Sequence, residues 1–146
     1  EGSLLMAQTG IELLYNWIIC EHLDMVTKND AKNKISAASK IKSLMAYSGL
    51  NVEAIDVPIE LKRYMDHERR QSVAETIVEL RNHLVHSSED KRSRLLGYNP
   101  IIFYEARNIL LYIIERYLLA IGGYDKKYFN RLTNNLEDSQ DFKLTL

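Results

Sequence analysis

Apolar residues recur three and four positions apart through most of this chain, and only Pro58 and Pro100 interrupt it as prolines. That period lays a single stripe along an α-helix. Nowhere do polar and apolar residues alternate long enough to specify a strand. The chain is thereby restricted to helices that cover one another's stripes. The expected fold class is all-α, a four-helix up-and-down bundle with an extra short helix.

The first helix is expected from Leu4 to Val26. Leu4, Ile11, Leu14, Ile18 and Met25 form its stripe, which Leu13, Trp17, Cys20 and Leu23 widen enough for burial on more than one side. Lys28-Asn29-Asp30 reads as a turn in which Asn29 or Asp30 caps a second helix, Ala31 to Ser48, stopped by Gly49. Ile35, Ala38, Ile41, Leu44 and Met45 face inward there, while Lys32, Lys34, Lys40 and Lys42 mostly face solvent. A connector from Asn51 to Val57 leads into the short helix, which starts after Pro58 and runs through Leu61 and Tyr64. Asp66 to Arg70 is a charge cluster of the kind found on a solvated face or loop. The third core helix runs from Ser72 to His86 or Ser87, and Ser72 with Glu75 has the form of a capping box. The fourth covers Ile101 to Ile121 and stops at Gly122-Gly123. Tyr124 to Leu132 reads as a short turn or helix that docks its aromatics, followed from Thr133 by a loose polar tail.

Length and charge narrow the function classes. The 146 residues suit one domain, 1–146. A net charge of −1 and a pI of about 6.5 give no global basic field, so any nucleic-acid contact must come from a local patch. The single cysteine, Cys20, cannot close an internal disulfide and reads as a small buried apolar residue. A reducing, cytoplasmic setting is expected. No apolar run approaches the roughly 20 residues of a membrane span, and no signal peptide opens the chain. The start, Glu1-Gly2-Ser3, lacks an initiator methionine, as expected of a C-terminal part of a longer protein. Gly-rich phosphate loops, nucleophile elbows and paired zinc cysteines are absent from the sequence, and no cofactor is expected.

One stretch carries more polar chemistry than a core helix needs. Glu79-Leu80-Arg81-Asn82-His83-Leu84-Val85-His86 closes the third helix. At about 100° per residue, Val73, Ile77, Leu80 and Leu84 form the core stripe. Glu75, Glu79, Asn82 and His86 lie on nearly the opposite side, and Arg81 flanks the stripe. Val78 and Val85 fall between Arg81 and the Asn82/His86 face. Two valines there imply a second covered surface, against another subunit or the tail, beside a polar site.

Arg81-Asn82-His83-Leu84-Val85-His86 resembles the signature of the HEPN domains: an arginine, a polar follower, and a histidine after four to six intervening residues. The placement agrees, at the end of the third helix of an all-helical domain with a fourth long helix behind it. The resemblance covers about Leu4 to Ile121. Gly123-Tyr124, Tyr128 and Asn130-Arg131-Leu132 are similar to tails of bacterial members, in particular the ApeA-like C-terminal branch. The resemblance implies a metal-independent endoribonuclease, often a toxin or anti-phage effector, active as a homodimer.

The residue chemistry points the same way. Cleavage through the ribose 2′-OH needs a base for that proton and an acid for the 5′-oxygen, and histidine does either near neutrality. Arginine's planar fork suits phosphate oxygens. Each chain offers His86 and Arg81 as catalytic candidates, with Asn82 to orient His86 or hold a phosphate oxygen. Two chains meeting across Val78 and Val85 would pair two histidines in one cleft. Glu79 and His83 are supporting residues, and Lys91, Arg92 and Arg94 are candidates for steering RNA. An antitoxin or an N-terminal regulatory domain is a further expected partner.

Plainer roles compete. Arg81 could be an ion-pair residue tied to Glu75 or Glu79, and His86 a helix-end cation favoured by the dipole. Glu79, His83 and His86 have a spacing that zinc can use, yet zinc leaves Arg81 and Asn82 unexplained, so no metal is expected. The alternative to an enzyme is a non-catalytic helical module that binds a nucleotide or a partner.

Overall fold

The computed structural model describes residues 2–50, 55–86, 88, 93 and 97–138. Most of them are helical. Helix α1 spans Gly2–Tyr15 and continues as a π-helical segment, Asn16–His22. Then come α2 (Lys28–Asn33), α3 (Ala37–Tyr47), α4 (Ile59–His67), α5 (Val73–His86) and α6 (Ile101–Ile121). Strands β1 (Lys127–Asn130) and β2 (Asn135–Asp138) close the described chain as an antiparallel hairpin.

The long helices pack in a circuit: α1 on α3, α3 on α5, α5 on α6, and α6 back on α1, with α4 laid along α6. One continuous apolar core runs through all of them, from Leu4 and Ile11 through Ile41, Leu44, Leu61, Ile77 and Leu80 to Ile109, Ile113 and Tyr117. Gly10 lets α1 approach α6, since a Cβ there would stand 2.9 Å from Ile114 Cδ1. Among the described residues no helix is long and apolar enough to cross a membrane.

Local chemistry explains the helix ends. Ser36 and Ser72 accept hydrogen bonds from the backbone N–H groups of Ser39 and Glu75, 3.1 and 3.4 Å. Pro58 cannot cap α4 with a side chain, and Glu105 of α6 does so instead, accepting from Leu61 N at 2.6 Å. Helices α3 and α6 end on glycines in the left-handed region. The turns after Gly49 and Gly123 close with Leu50 N to Met45 O and Tyr124 N to Leu119 O, both 2.9 Å. Helix α4 ends the same way on Arg69, a side-chain-bearing residue at φ 54°.

Several expectations change. The first helix does not run regularly to Val26. From Asn16 it widens, with Leu23 N bonded to Ile18 O at 2.9 Å, which buries Ile18, Ile19 and Cys20 in succession. Three consecutive buried side chains exceed what one α-helical stripe can supply. In return, Leu13 and Trp17 remain 66% and 45% exposed, and Met25 also faces out. The second helix is two, broken between Asn33 and Ala37, and the first of these is capped by Thr27, which accepts from Asp30 N at 3.1 Å, not by Asn29 or Asp30. Lys40 is buried, its ammonium 5.9 Å from the Tyr15 ring centre. The segment expected to be a short turn or helix followed by a loose tail is instead a hairpin from Lys127 to Asp138, and the rest of that expected tail, 139–146, lies outside the described residues.

That hairpin is held by a buried polar network. Arg116 donates to the hydroxyls of Tyr112 (3.0 Å) and Tyr128 (2.9 Å). Tyr128 and Asn130 donate to Glu137 at 3.2 and 2.7 Å, and Thr133 at 2.9 Å. Four residues per strand give little alternation to detect, and the apolar anchor is a single tyrosine.

Candidate functional site

Helix α5 positions the Arg81–His86 motif by burying its other side. Val73, Ala74, Thr76, Ile77 and Leu80 are buried, and Leu84 is half-buried against the same core. The motif occupies the last turn and a half, where the core stripe runs out. Arg81 is half-buried, and Asn82 and His86 are exposed.

The glutamates on this helix are already engaged. Glu75 takes Lys42 of α3 at 2.7 Å. Glu79 takes the guanidinium of Arg70 and lies 3.8 Å from His83 Nε2. Neither glutamate pairs with Arg81. Among the described residues, the hydrogen-bond partner of the Arg81 guanidinium is the amide of Asn82, with Nη1 donating to Oδ1 at 3.0 Å. Asn82 and His86 are one turn apart on one face, so this bond turns the cation toward the His86 side of the helix.

The supporting residues are placed unequally. His83 Nδ1 is buried without a hydrogen-bond partner among the described residues, and Nε2 faces Glu79. Val78 is half-buried against the chain's own core, whereas Val85 is 44% exposed. Lys91, Arg92 and Arg94 lie outside the described residues. Glu79 holds Arg70 and lies beside His83, while Asn82 holds Arg81. Among the described residues, no group of three or more His, Cys, Asp or Glu side chains is arranged to hold a metal ion.

The structure adds a cluster that the sequence reading dispersed into a solvated charge run. Tyr98 donates to Glu68 Oε1 at 2.5 Å and lies 2.6 Å from His67 Nδ1, with its ring edge-on to Tyr64 at 4.8 Å. The hydrogen bond from Tyr98, and then that from His67, hold the Glu68 carboxyl below its ordinary range against the opposing effect of burial. Burial, and then the negative charges of Glu79 and Glu68, push the Tyr64 phenol up. The ends of α4 and α5 thus share one polar corner, joined by Arg70 and Glu79. Thirty positions separate Glu68 from Tyr98, and no local pattern announces the pairing.

Comparison with known proteins gives one result at the family level. No curated protein and no solved structure matches the chain. Residues 1–141 match the family model of the YopA C-terminal domain, and the chain belongs to that family.

Proposed function

We propose that this domain is a metal-independent endoribonuclease of HEPN-like helical-bundle type, completed by a second copy of the chain and serving as a toxin or anti-phage effector. One observation carries the reading. Arg81 makes no ion pair with the two carboxylates of its own helix, which hold Lys42 and Arg70, and its guanidinium is held by the neutral amide of Asn82, one turn before the exposed His86. A guanidinium paired with an amide keeps its full charge for a phosphate.

In the proposed reaction, His86 of one protomer takes the ribose 2′-hydroxyl proton and the 2′-oxygen attacks phosphorus. The P–O5′ bond breaks, and the second protomer's copy of the histidine protonates the departing oxygen. The products are a 2′,3′-cyclic phosphate and a free 5′-hydroxyl. Arg81 offsets charge on the phosphorane oxygens, and Asn82 keeps Arg81 aimed. Regulation by an antitoxin or a preceding domain of the same protein fits this scheme.

The test is cleavage of RNA in EDTA with analysis of the ends. Wild type should cut and leave cyclic phosphates. Arg81→Ala and His86→Ala should each lose at least ~10²-fold in rate at unchanged melting temperature. Wild-type rates in both variants would refute the reading. A second reading, a non-catalytic module that binds a partner, draws on the uncovered apolar strip of Leu13, Trp17 and Leu118 on α1 and α6. It predicts no cleavage under any condition.

A further inference from the structure

Helix α6 and the hairpin flank a cleft of about 630 Å³ that no residue of α5 lines. Its apolar part is aromatic. Tyr104 and Phe129 are 55% and 58% exposed, with Leu118 beside them. Folding does not account for two rings left in water around one concavity, because neither is needed to close the core. The rest of the lining is polar. Arg131 makes a two-pronged pair with Glu115, Nε to Oε2 at 2.8 Å, and Asn134 completes the rim.

The charge around Tyr104 is unbalanced. The Arg107 guanidinium lies 4.4 Å from the Tyr104 ring centre and donates to Asn108 Oδ1 at 2.9 Å. Its Nε is buried with no hydrogen-bond partner among the described residues. Arg131 is paired with Glu115, whereas no ion pair engages Arg107 among the described residues. The Tyr104 phenol registers this. The hydrogen bond from Asn108, and then the charges of Arg107 and Arg131, hold it below its usual range. A surrounding that favours a phenolate also favours a phosphate. Arg107 stacks on the Tyr104 ring without lining the cleft, whereas Tyr104 lines it and is exposed.

We propose that this cleft holds one unpaired nucleotide of an RNA chain, with its base stacked on Tyr104 and walled by Phe129 and Leu118, its phosphate at Arg131 on the rim, and Arg107 behind the Tyr104 ring adding positive charge. A flat π-face and amide edges in one concavity, with the Arg107 cation behind the Tyr104 ring, match a nucleotide better than a peptide. Single-stranded RNA presents such bases, whereas a duplex keeps them stacked. The identity of the polymer rests on the ribonuclease reading, but the residues are different ones.

The experiment measures binding of a fluorescent ten-nucleotide oligoadenylate to the full chain carrying His86→Ala, which keeps the probe intact. Tyr104→Ala and Phe129→Ala in that background should each weaken binding about tenfold, and Tyr104→Phe by less than twofold. An excess of AMP should displace the oligomer if a free nucleotide shares the site, and failure to displace assigns the site to the polymer. The same sequence annealed into a duplex should bind at least tenfold more weakly. The proposal is overturned if the oligomer does not bind, or if both alanine variants bind it within twofold of their parent. Two results separate it from the ribonuclease reading. Cleavage that depends on His86 with unaltered binding by the alanine variants sinks the cleft alone. Ring-dependent binding without any cleavage by wild type sinks the nuclease alone.

Discussion

Arg81 is held by the amide oxygen of Asn82 at 3.0 Å, on the same helix as two glutamates that are both engaged elsewhere. Spacings of two and six residues put Glu79 and Glu75 on other sides of the helix from Arg81. Lys42 of α3 and Arg70, just past α4, hold those two carboxylates. Asn82→Ala should therefore cost activity by freeing the Arg81 fork, about tenfold in the cleavage rate, with a smaller effect on stability since Asn82 is exposed. Arg81→Lys should fare no better than Arg81→Ala, because an ammonium cannot reproduce the fork. Parallel rates and thermal melts check both.

Val85 provides the test of the second copy. It is exposed and borders the motif, while Val78 already packs against the chain's own core. Val85→Asp should leave the monomer folded and shift the mass measured by light scattering from dimer to monomer, with loss of cleavage. A Val85→Asp variant that stays dimeric would move the interface elsewhere.

The hairpin should loosen in acid. Burial pushes the Glu137 carboxyl up, but the hydrogen bonds from Asn130, Thr133 and Tyr128 outweigh it and hold the group below its ordinary range. A depressed carboxyl contributes stability that is present above its unfolded value, about 4.3, and lost as pH falls through the folded one. Glu137→Gln should thus destabilise by about 1–2 kcal/mol at pH 7 and by much less near pH 3. Denaturant titrations of both proteins at the two pH values give the difference.

Arg69 ends α4 at φ 54°, a conformation that costs a residue with a Cβ about 1 kcal/mol relative to glycine. It is exposed, and no ion pair engages it among the described residues. Arg69→Gly should raise the melting temperature by about 3 °C. Arg69→Ala, which keeps the Cβ, should not. Scanning calorimetry resolves the two.

The sequence alone determined the helical class, the inward faces of α3 and α5, and the polar stretch at the end of α5. Each of these is written in spacing: a three-to-four-residue period fixes which side chains share a face before any neighbour is known. Gly49 and Gly122-Gly123 marked stops for the same local reason. Tertiary structure decided what spacing cannot encode. It broke the second helix, widened the end of the first so that three successive residues could be buried, and made a hairpin of two four-residue strands anchored by Tyr128 and Glu137. It also gave Glu68 to Tyr98 and Glu79 to Arg70. The first joins residues thirty positions apart and the second crosses from the loop before α5 onto its side, so both depend on which segment packs beside which. The state of Arg81 is the clearest case. Its place on the helix, away from Glu75 and Glu79, was readable from the spacing, but the side-chain conformation that brings its guanidinium to Asn82 was not.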